Sequence, residues 1–255
     1  MAGGVIWYEL MTSDVDKARA FYEQVLGWSI EKSSNAPNGY RMISGSKGLV
    51  GGMMPLPPGA TNMGMKPIWV PYIDVPDADS AANKIKADGG AIHMPGTDVP
   101  GAGRFCYVAD PQGASFYVMK PSGPEGSATS WQPGVAGYGG WHELHTTDNA
   151  KALAFYAKHF GWTADGTHDM GPMGQYRLFK IGKVQAGGMM NDANLPRPQW
   201  MIYFGVDDIV KAAARVRAAG GTVTLDPMEV PGGAFIVNGT DPQGAALNLL
   251  GPKVV

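Results

Sequence analysis

The sequence predicts an α+β fold of two tandem domains, each a pair of βαβββ modules, four modules in all. Three observations carry that prediction. First, residues 7–28 (WYELMTSDVDKARAFYEQVLGW) align without gaps on residues 141–162 (WHELHTTDNAKALAFYAKHFGW), with 12 identities in 22 positions. Further matches keep the same order: Tyr40-Arg41 with Tyr176-Arg177, Gly51-Gly52-Met53-Met54 with Gly187-Gly188-Met189-Met190, residues 69–90 with 200–221, and Asp110-Pro111-Gln112-Gly113 with Asp241-Pro242-Gln243-Gly244. Ordered self-similarity of this kind marks a duplicated structural unit. Second, the apolar spacing within each copy switches repeatedly between strand and helix periods. Third, residues 121–138 are rich in Gly, Pro and Ser, the composition of a flexible linker. The domains are therefore placed at residues 1–120 and 139–255.

Within the first copy, Trp7 to Thr12 reads as a short strand. Asp14 offers a short polar side chain just before an apolar run at helical spacing (Ala18, Phe21, Tyr22, Val25, Leu26), and Gly27 ends that helix. Short strands are expected near 40–44 and 49–54, and another at 69–75. Asp77 caps a second helix with Ala78, Ala81, Ala82 and Ile85 on one face, ending at Gly89-Gly90. Strands follow near 91–94, 104–109 and 115–120. Asp110-Pro111-Gln112-Gly113 suits a type I turn joining the last two, with Pro at its second position and Gly at its fourth.

Composition narrows the function classes. The chain has 255 residues, a formal net charge of −2 and no run of Lys or Arg, so neither nucleic acid nor a membrane surface is an expected partner. The single cysteine, Cys106, rules out an intrachain disulfide framework and a four-cysteine zinc site. The N-terminus lacks a basic, then apolar, leader pattern, and no apolar stretch reaches the roughly 18 residues of a membrane span. A cytoplasmic location is the default expectation.

The βαβββ doublet, the first helix with its "D…A…FY…LGW" pattern, the second with "V.D…A…K…GG" and the closing "DPQG" turn together resemble the vicinal oxygen chelate superfamily, over almost the whole chain and twice. That superfamily includes glyoxalase I, extradiol dioxygenases and bleomycin-resistance proteins. The resemblance implies modules curled around a cleft, where enzyme members bind a divalent metal through His and Glu. Carried over position by position, the ligand places fall on Trp7 and Trp141, on Val70 and Met201, and on Tyr117 and Asn248. None is a usual ligand for such metals, Asn being a weak one. The resemblance therefore implies no standard metal cofactor here, and a divalent metal at a nonstandard site stays an open alternative.

Strand parity, with Trp7 set toward the cleft by the resemblance, puts Glu9 and Met11 on the same face, and Trp141, Glu143 and His145 in the second copy. His142 then faces away, so HELH is not a shared zinc site. Tyr117, Met119, Asn248 and Leu250 face in from the last strands. Trp7, Glu9, Met11, Tyr117, Trp141 and Asn248 are the candidate ligand contacts. Glu143 and His145 are the candidate catalytic pair, a general base with its orienting partner. The bland readings are carboxylates held by Arg41 and Arg177 or by backbone amides, and an ordinary core histidine. Arg104 reads as a surface ion pair ahead of an anion contact, Cys106 as a buried thiol, and His93, His159 and His168 as loop or surface residues. The expected function is binding of a small, aromatic molecule, in the manner of the bleomycin-resistance branch, by a monomer or homodimer. The competing expectations are a glyoxalase-like lyase or isomerase using Glu143 and His145, and a degenerate scaffold for protein contacts.

Overall fold

A computed structural model describes residues 3–33, 39–60, 64–124 and 126–254. The first copy runs β1 (Val5–Thr12), α1 (Val15–Leu26), β2 (Ser29–Lys32), β3 (Arg41–Gly45), β4 (Gly48–Pro55), β5 (Ile68–Asp74), α2 (Ala78–Ala87), β6 (Ala91–Val99), β7 (Gly103–Ala109) and β8 (Ser115–Pro121). The second copy repeats the order as β9 (Gly139–Thr146), α3 (Asn149–Phe160), β10 (Thr163–Asp169), β11 (Gln175–Ile181), β12 (Val184–Asn191), β13 (Gln199–Gly205), α4 (Ile209–Ala218), β14 (Thr222–Glu229), β15 (Phe235–Thr240) and β16 (Ala246–Gly251). Each copy is thus the βαβββ doublet read from the sequence. The short strand β2 had no signal of its own, since only Ile30 of its four residues is buried.

The four helices begin in the same way. Asp14, Asp77, Asp148 and Asp208 sit in extended conformation, and each carboxylate accepts a backbone N–H of the first turn. Gly27 and Gly161 close α1 and α3 in the left-handed region, at φ 68° and 70°. Two eight-stranded sheets result, in the orders β2-β3-β4-β1-β5-β8-β7-β6 and β10-β11-β12-β9-β13-β16-β15-β14. Strands β1 and β4 run parallel, as do β9 and β12, pairing Met11 with Met54 and His145 with Met190.

Two compact units form, and each draws on both copies. One holds residues 70–128 and 142–201 with the N-terminal residues up to 6; α2 packs on α3 there. Its core is aromatic: the Tyr156 ring stacks on Trp162 at 5.0 Å, and Trp162 stacks on Phe179 at 4.7 Å. The other unit holds residues 7–69, 129–141 and 202–255; α1 packs on α4 there, around Tyr22, Trp28, Trp69 and Phe204.

The DPQG turns tie each unit together. Asp110 Oδ1 accepts the N–H groups of Gln112 and Ala114, and Oδ2 accepts the hydroxyl of Tyr156 on α3 at 3.1 Å. Asp241 does the same for Gln243, Ala245 and Tyr22 on α1. The Gly113 N–H donates to Asp110 O at 3.0 Å, as the expected turn requires. Residues 129–138 depart from the expectation of a flexible linker. Trp28 Nε1 donates to Gly137 O at 2.7 Å, Thr129 Oγ1 donates to Leu49 O at 2.7 Å, and Tyr138 is fully buried. An aromatic side chain in a Gly-rich segment gives it a hydrophobic anchor that composition alone does not register.

Candidate functional site

Strand β9 alternates as parity requires. His142, Leu144 and Thr146 are buried, while Trp141, Glu143 and His145 stay half-buried on the opposite face. His142 is spent on the backbone: its Nδ1 lies 3.0 Å from Ala186 O, and burial lowers its pKa to about 4, so it is neutral.

The other face of β9 gathers four polar side chains. His145 Nε2 lies 2.7 Å from Glu143 Oε1, and His145 Nδ1 lies 2.9 Å from Asp192 Oδ2. Tyr176 donates its hydroxyl to Glu143 Oε2 at 2.7 Å. Asp192 follows β12 and is fixed by the Asn194 N–H on its Oδ1 at 2.9 Å. The three ionisable side chains are 14–17% exposed, close to solvent yet shielded. Burial pulls the imidazole down, but its bonds to Glu143 and Asp192 outweigh that and raise the His145 pKa above its ordinary value. The bond from His145 holds the Asp192 carboxyl below the usual range. The cluster therefore sets the imidazole between two carboxyl groups.

The Gly-Gly-Met-Met repeat explains how Tyr176 reaches Glu143. A Cβ on Gly188 would lie 2.1 Å from the Tyr176 ring, and one on Gly187 would lie 1.9 Å from His142 O. Both positions must stay bare for β12 to approach β9 and for the ring to cross it.

The first copy keeps half of this arrangement. Tyr40 donates to Glu9 Oε2 at 2.8 Å, and Trp7 Nε1 donates to the Tyr40 hydroxyl at 3.1 Å. Gly52 leaves the same room, a Cβ there falling 1.9 Å from the Tyr40 oxygen. Met11 and Leu56, both buried, stand where the second copy has His145 and Asp192. The expected arginine partners are corrected: Arg41 pairs with Asp16, and Arg177 Nε donates to Asn149 Oδ1 at 2.9 Å. The tyrosine before each arginine supplies the carboxylate's hydrogen bond, because alternate residues of an extended segment point to opposite faces.

The remaining candidates lie elsewhere. Tyr117 stacks on Tyr72 at 4.1 Å and 13°, flanked by Phe105 and Tyr107. Its counterpart Asn248 is buried, with Oδ1 accepting Asn238 Nδ2 at 2.7 Å. These positions do not suit a divalent metal: Val70 has no donor, the Asn248 oxygen is engaged, and Met201 Sδ lies 3.4 Å from Gln199 Nε2. Among the described residues, no three His, Cys, Asp or Glu side chains converge as a metal site. Arg104 forms ion pairs with Asp79 and Asp98 at 2.5 and 2.8 Å. Cys106 is buried, 3.5 Å from Ala78 O. His93 and His168 are exposed, on β6 and β10. His159 is corrected from a loop or surface residue: it lies on α3 beside Asp88 with its side chain 6% exposed. Asp192 went unnoticed in the sequence, though the repeat aligns it with Leu56, and an acid opposite a leucine was the available signal.

Comparison with known proteins agrees with this architecture. The model of the Glyoxalase/Bleomycin resistance protein/Dioxygenase superfamily matches residues 4–118 and 140–249. CFP32 of Mycobacterium tuberculosis (strain CDC 1551 / Oshkosh), named as a candidate glyoxylase, is 35% identical over 250 residues, covering 96% of this chain and 94% of its own. The anthracycline biosynthesis protein DnrV of Streptomyces peucetius is 30% identical, covering 97% of this chain and 93% of its own. Among solved structures, 2,2',3-trihydroxybiphenyl 1,2-dioxygenase from Sphingomonas wittichii strain RW1 superposes with a TM-score of 0.70 at 13% identity, over 100% of this chain and 92% of its own. The Mn(II)-bound glyoxalase from Novosphingobium aromaticivorans gives 0.68 at 14%, over 98% and 82%. At such identities these structures speak to fold alone. No helix is long and apolar enough to cross a membrane. The chain belongs to the Glyoxalase/Bleomycin resistance protein/Dioxygenase superfamily.

Proposed function

We propose that the protein binds a small organic molecule and catalyses a proton transfer on it, of the lyase or isomerase kind, with Glu143 and His145 as the acid–base pair. The observation that carries this reading is the placement of His145 between Glu143 and Asp192 at 2.7 and 2.9 Å. A carboxyl group hydrogen-bonded to an imidazole offers one group to take a proton and one to give it. Such a pair suits removal of a proton next to a carbonyl and its return at a neighbouring atom. The usual metal plays no part in the proposal, because the family's ligand positions hold side chains unsuited to it. The relatives named as a candidate glyoxylase and as an anthracycline biosynthesis protein guide the choice of probes.

The test is solvent-deuterium incorporation. The full chain is incubated in D2O with the methylglyoxal–glutathione adduct and with an anthracycline, and exchange at carbon is followed by proton NMR. Exchange that disappears in Glu143→Gln and His145→Gln supports the proposal. Exchange untouched by either change, or a stoichiometric transition metal required for it, overturns it.

A second reading, binding without turnover, is favoured by the Tyr72–Tyr117 stack of the first copy. Tyr117 would be a contact in the unit that holds this stack, and Trp7, Glu9, Met11, Trp141 and Asn248 would be contacts of a separate site in the other unit. A thermal-shift titration with an anthracycline checks it: ligand at 100 times its dissociation constant stabilises by about 2.7 kcal/mol. A shift that survives Tyr117→Ala and Trp7→Ala would remove these contacts from consideration.

A further inference from the structure

The two copies differ at two positions whose side chains are hydrogen-bonded to each other in the second copy. Met11 stands where the second copy has His145, and Leu56 where it has Asp192. The second equivalence is structural as well as sequential: the Leu56 N–H donates to Thr12 O at 2.8 Å, and the Asp192 N–H donates to Thr146 O at 2.9 Å. Met11 and Leu56 are both buried apolar side chains. Exchanging one member alone would set an imidazole against hydrocarbon or leave a shielded carboxylate without its partner, so the two have to change together. The rest of the arrangement is common to both copies: Glu9 with Tyr40, and Glu143 with Tyr176.

We propose that Asp192 is the positioning residue of the second-copy site, and that acid–base chemistry is confined to that copy. The proposal rests on the proton-transfer reading above and adds a residue and an asymmetry to it. Asp192 is held by the Asn194 N–H and accepts the Nδ1 proton of His145. That bond fixes which ring nitrogen keeps its hydrogen and leaves Nε2 as the atom that trades a proton with Glu143 Oε1. Tyr176 steadies the other oxygen of Glu143. Among the described residues, the first copy has the carboxylate and its tyrosine but no proton donor or acceptor at Met11 or Leu56, so it can bind a ligand without moving a proton.

The test is long-range proton–nitrogen NMR on histidine-labelled full chain, with His145→Gln to assign the signal. The expected spectrum shows both His145 nitrogens protonated below its titration midpoint, with that midpoint above the ordinary imidazole value. In Asp192→Asn the titration midpoint moves down and Nδ1 no longer holds its hydrogen uniformly; Asp192→Glu recovers both. A transplant guards against a merely unfolded variant: Met11→His with Leu56→Asp gives a new imidazole titrating above that of Met11→His alone. An unchanged midpoint in Asp192→Asn, or a transplant no different from the single change, overturns the positioning role. Deuterium exchange separates the two readings. If no exchange occurs but the NMR shifts do, proton transfer falls and the positioning role stands. If exchange occurs and Asp192→Asn lowers it less than about tenfold, the positioning role falls.

Discussion

His145 shows how much chemistry a single exchange on a strand can introduce. Its raised pKa means that its contribution to stability is fully present below the ordinary imidazole value and is lost as pH rises through the raised one. Asp192 is lowered, so its contribution is present above the ordinary carboxylate value and is lost as pH falls through the lowered one. The pair is thus most stabilising between the two titrations. The denaturation midpoint of the native protein minus that of His145→Met/Asp192→Leu, measured against pH, is expected to trace a bell. Asp192→Ala alone should cost about 1–3 kcal/mol, more than the paired exchange, because it leaves the shielded His145 Nδ1 without its partner. Gly188 offers a second check at this scale. Gly188→Ala is expected to drive Tyr176 off Glu143, visible as a changed His145 titration with the fold retained by far-UV circular dichroism. Glu143 and His145 were legible because residues two apart on a strand share a face. Asp192 was not, because its contact comes from the strand-to-strand pairing of β9 with β12, 47 residues away in sequence.

At the scale of elements, the DPQG turn was legible and its purpose was not. Pro and Gly announce the reversal, but the aspartate also reaches a helix of the other copy: Asp241 takes the Tyr22 hydroxyl, which accepts in turn from Trp69 Nε1 at 2.9 Å. Burial pushes the Asp241 carboxyl up despite its backbone hydrogen bonds. A raised carboxylate contributes stability that is present below the ordinary value and lost as pH climbs through the raised one, the opposite sense to Asp192. Asp241→Asn keeps the acceptor for the turn and removes the buried charge, so its stability at pH 7 should stay within about 1 kcal/mol of the native protein. Asp241→Ala leaves two turn N–H groups and the Tyr22 hydroxyl without their acceptor and should cost about 2–3 kcal/mol, read from urea denaturation. Strand β2 was missed for a different reason: four residues with one buried side chain carry too little alternation to read.

At the scale of the molecule, the repeat reveals which segments are copies but not which of them pack together. The sequence places a boundary between residues 120 and 139, yet each compact unit takes one module from either side of it. Tyr22 of the first copy is bonded to Asp241 of the second, Tyr156 of the second to Asp110 of the first, and Trp162 Nε1 to Gly3 O at 2.7 Å. Helix α1 buries its apolar face with α4, and α2 with α3. A cut in the exposed residues 122–124 or 126–128 therefore severs the chain without separating any of these partners. Limited proteolysis there is expected to give two fragments that run apart on a denaturing gel and together on size exclusion, with tryptophan emission unchanged. Residues 129–138 should resist cleavage, because Tyr138 and the bond from Trp28 hold them down. Fragments of residues 1–120 and 139–255 made separately should each be unstable as a monomer, since each carries two helix faces whose partners lie in the other fragment, and mixing should restore the co-eluting species. Two fragments that separate on size exclusion while keeping native emission would mean that each copy folds alone, and that the cross-copy hydrogen bonds contribute little to holding the molecule together.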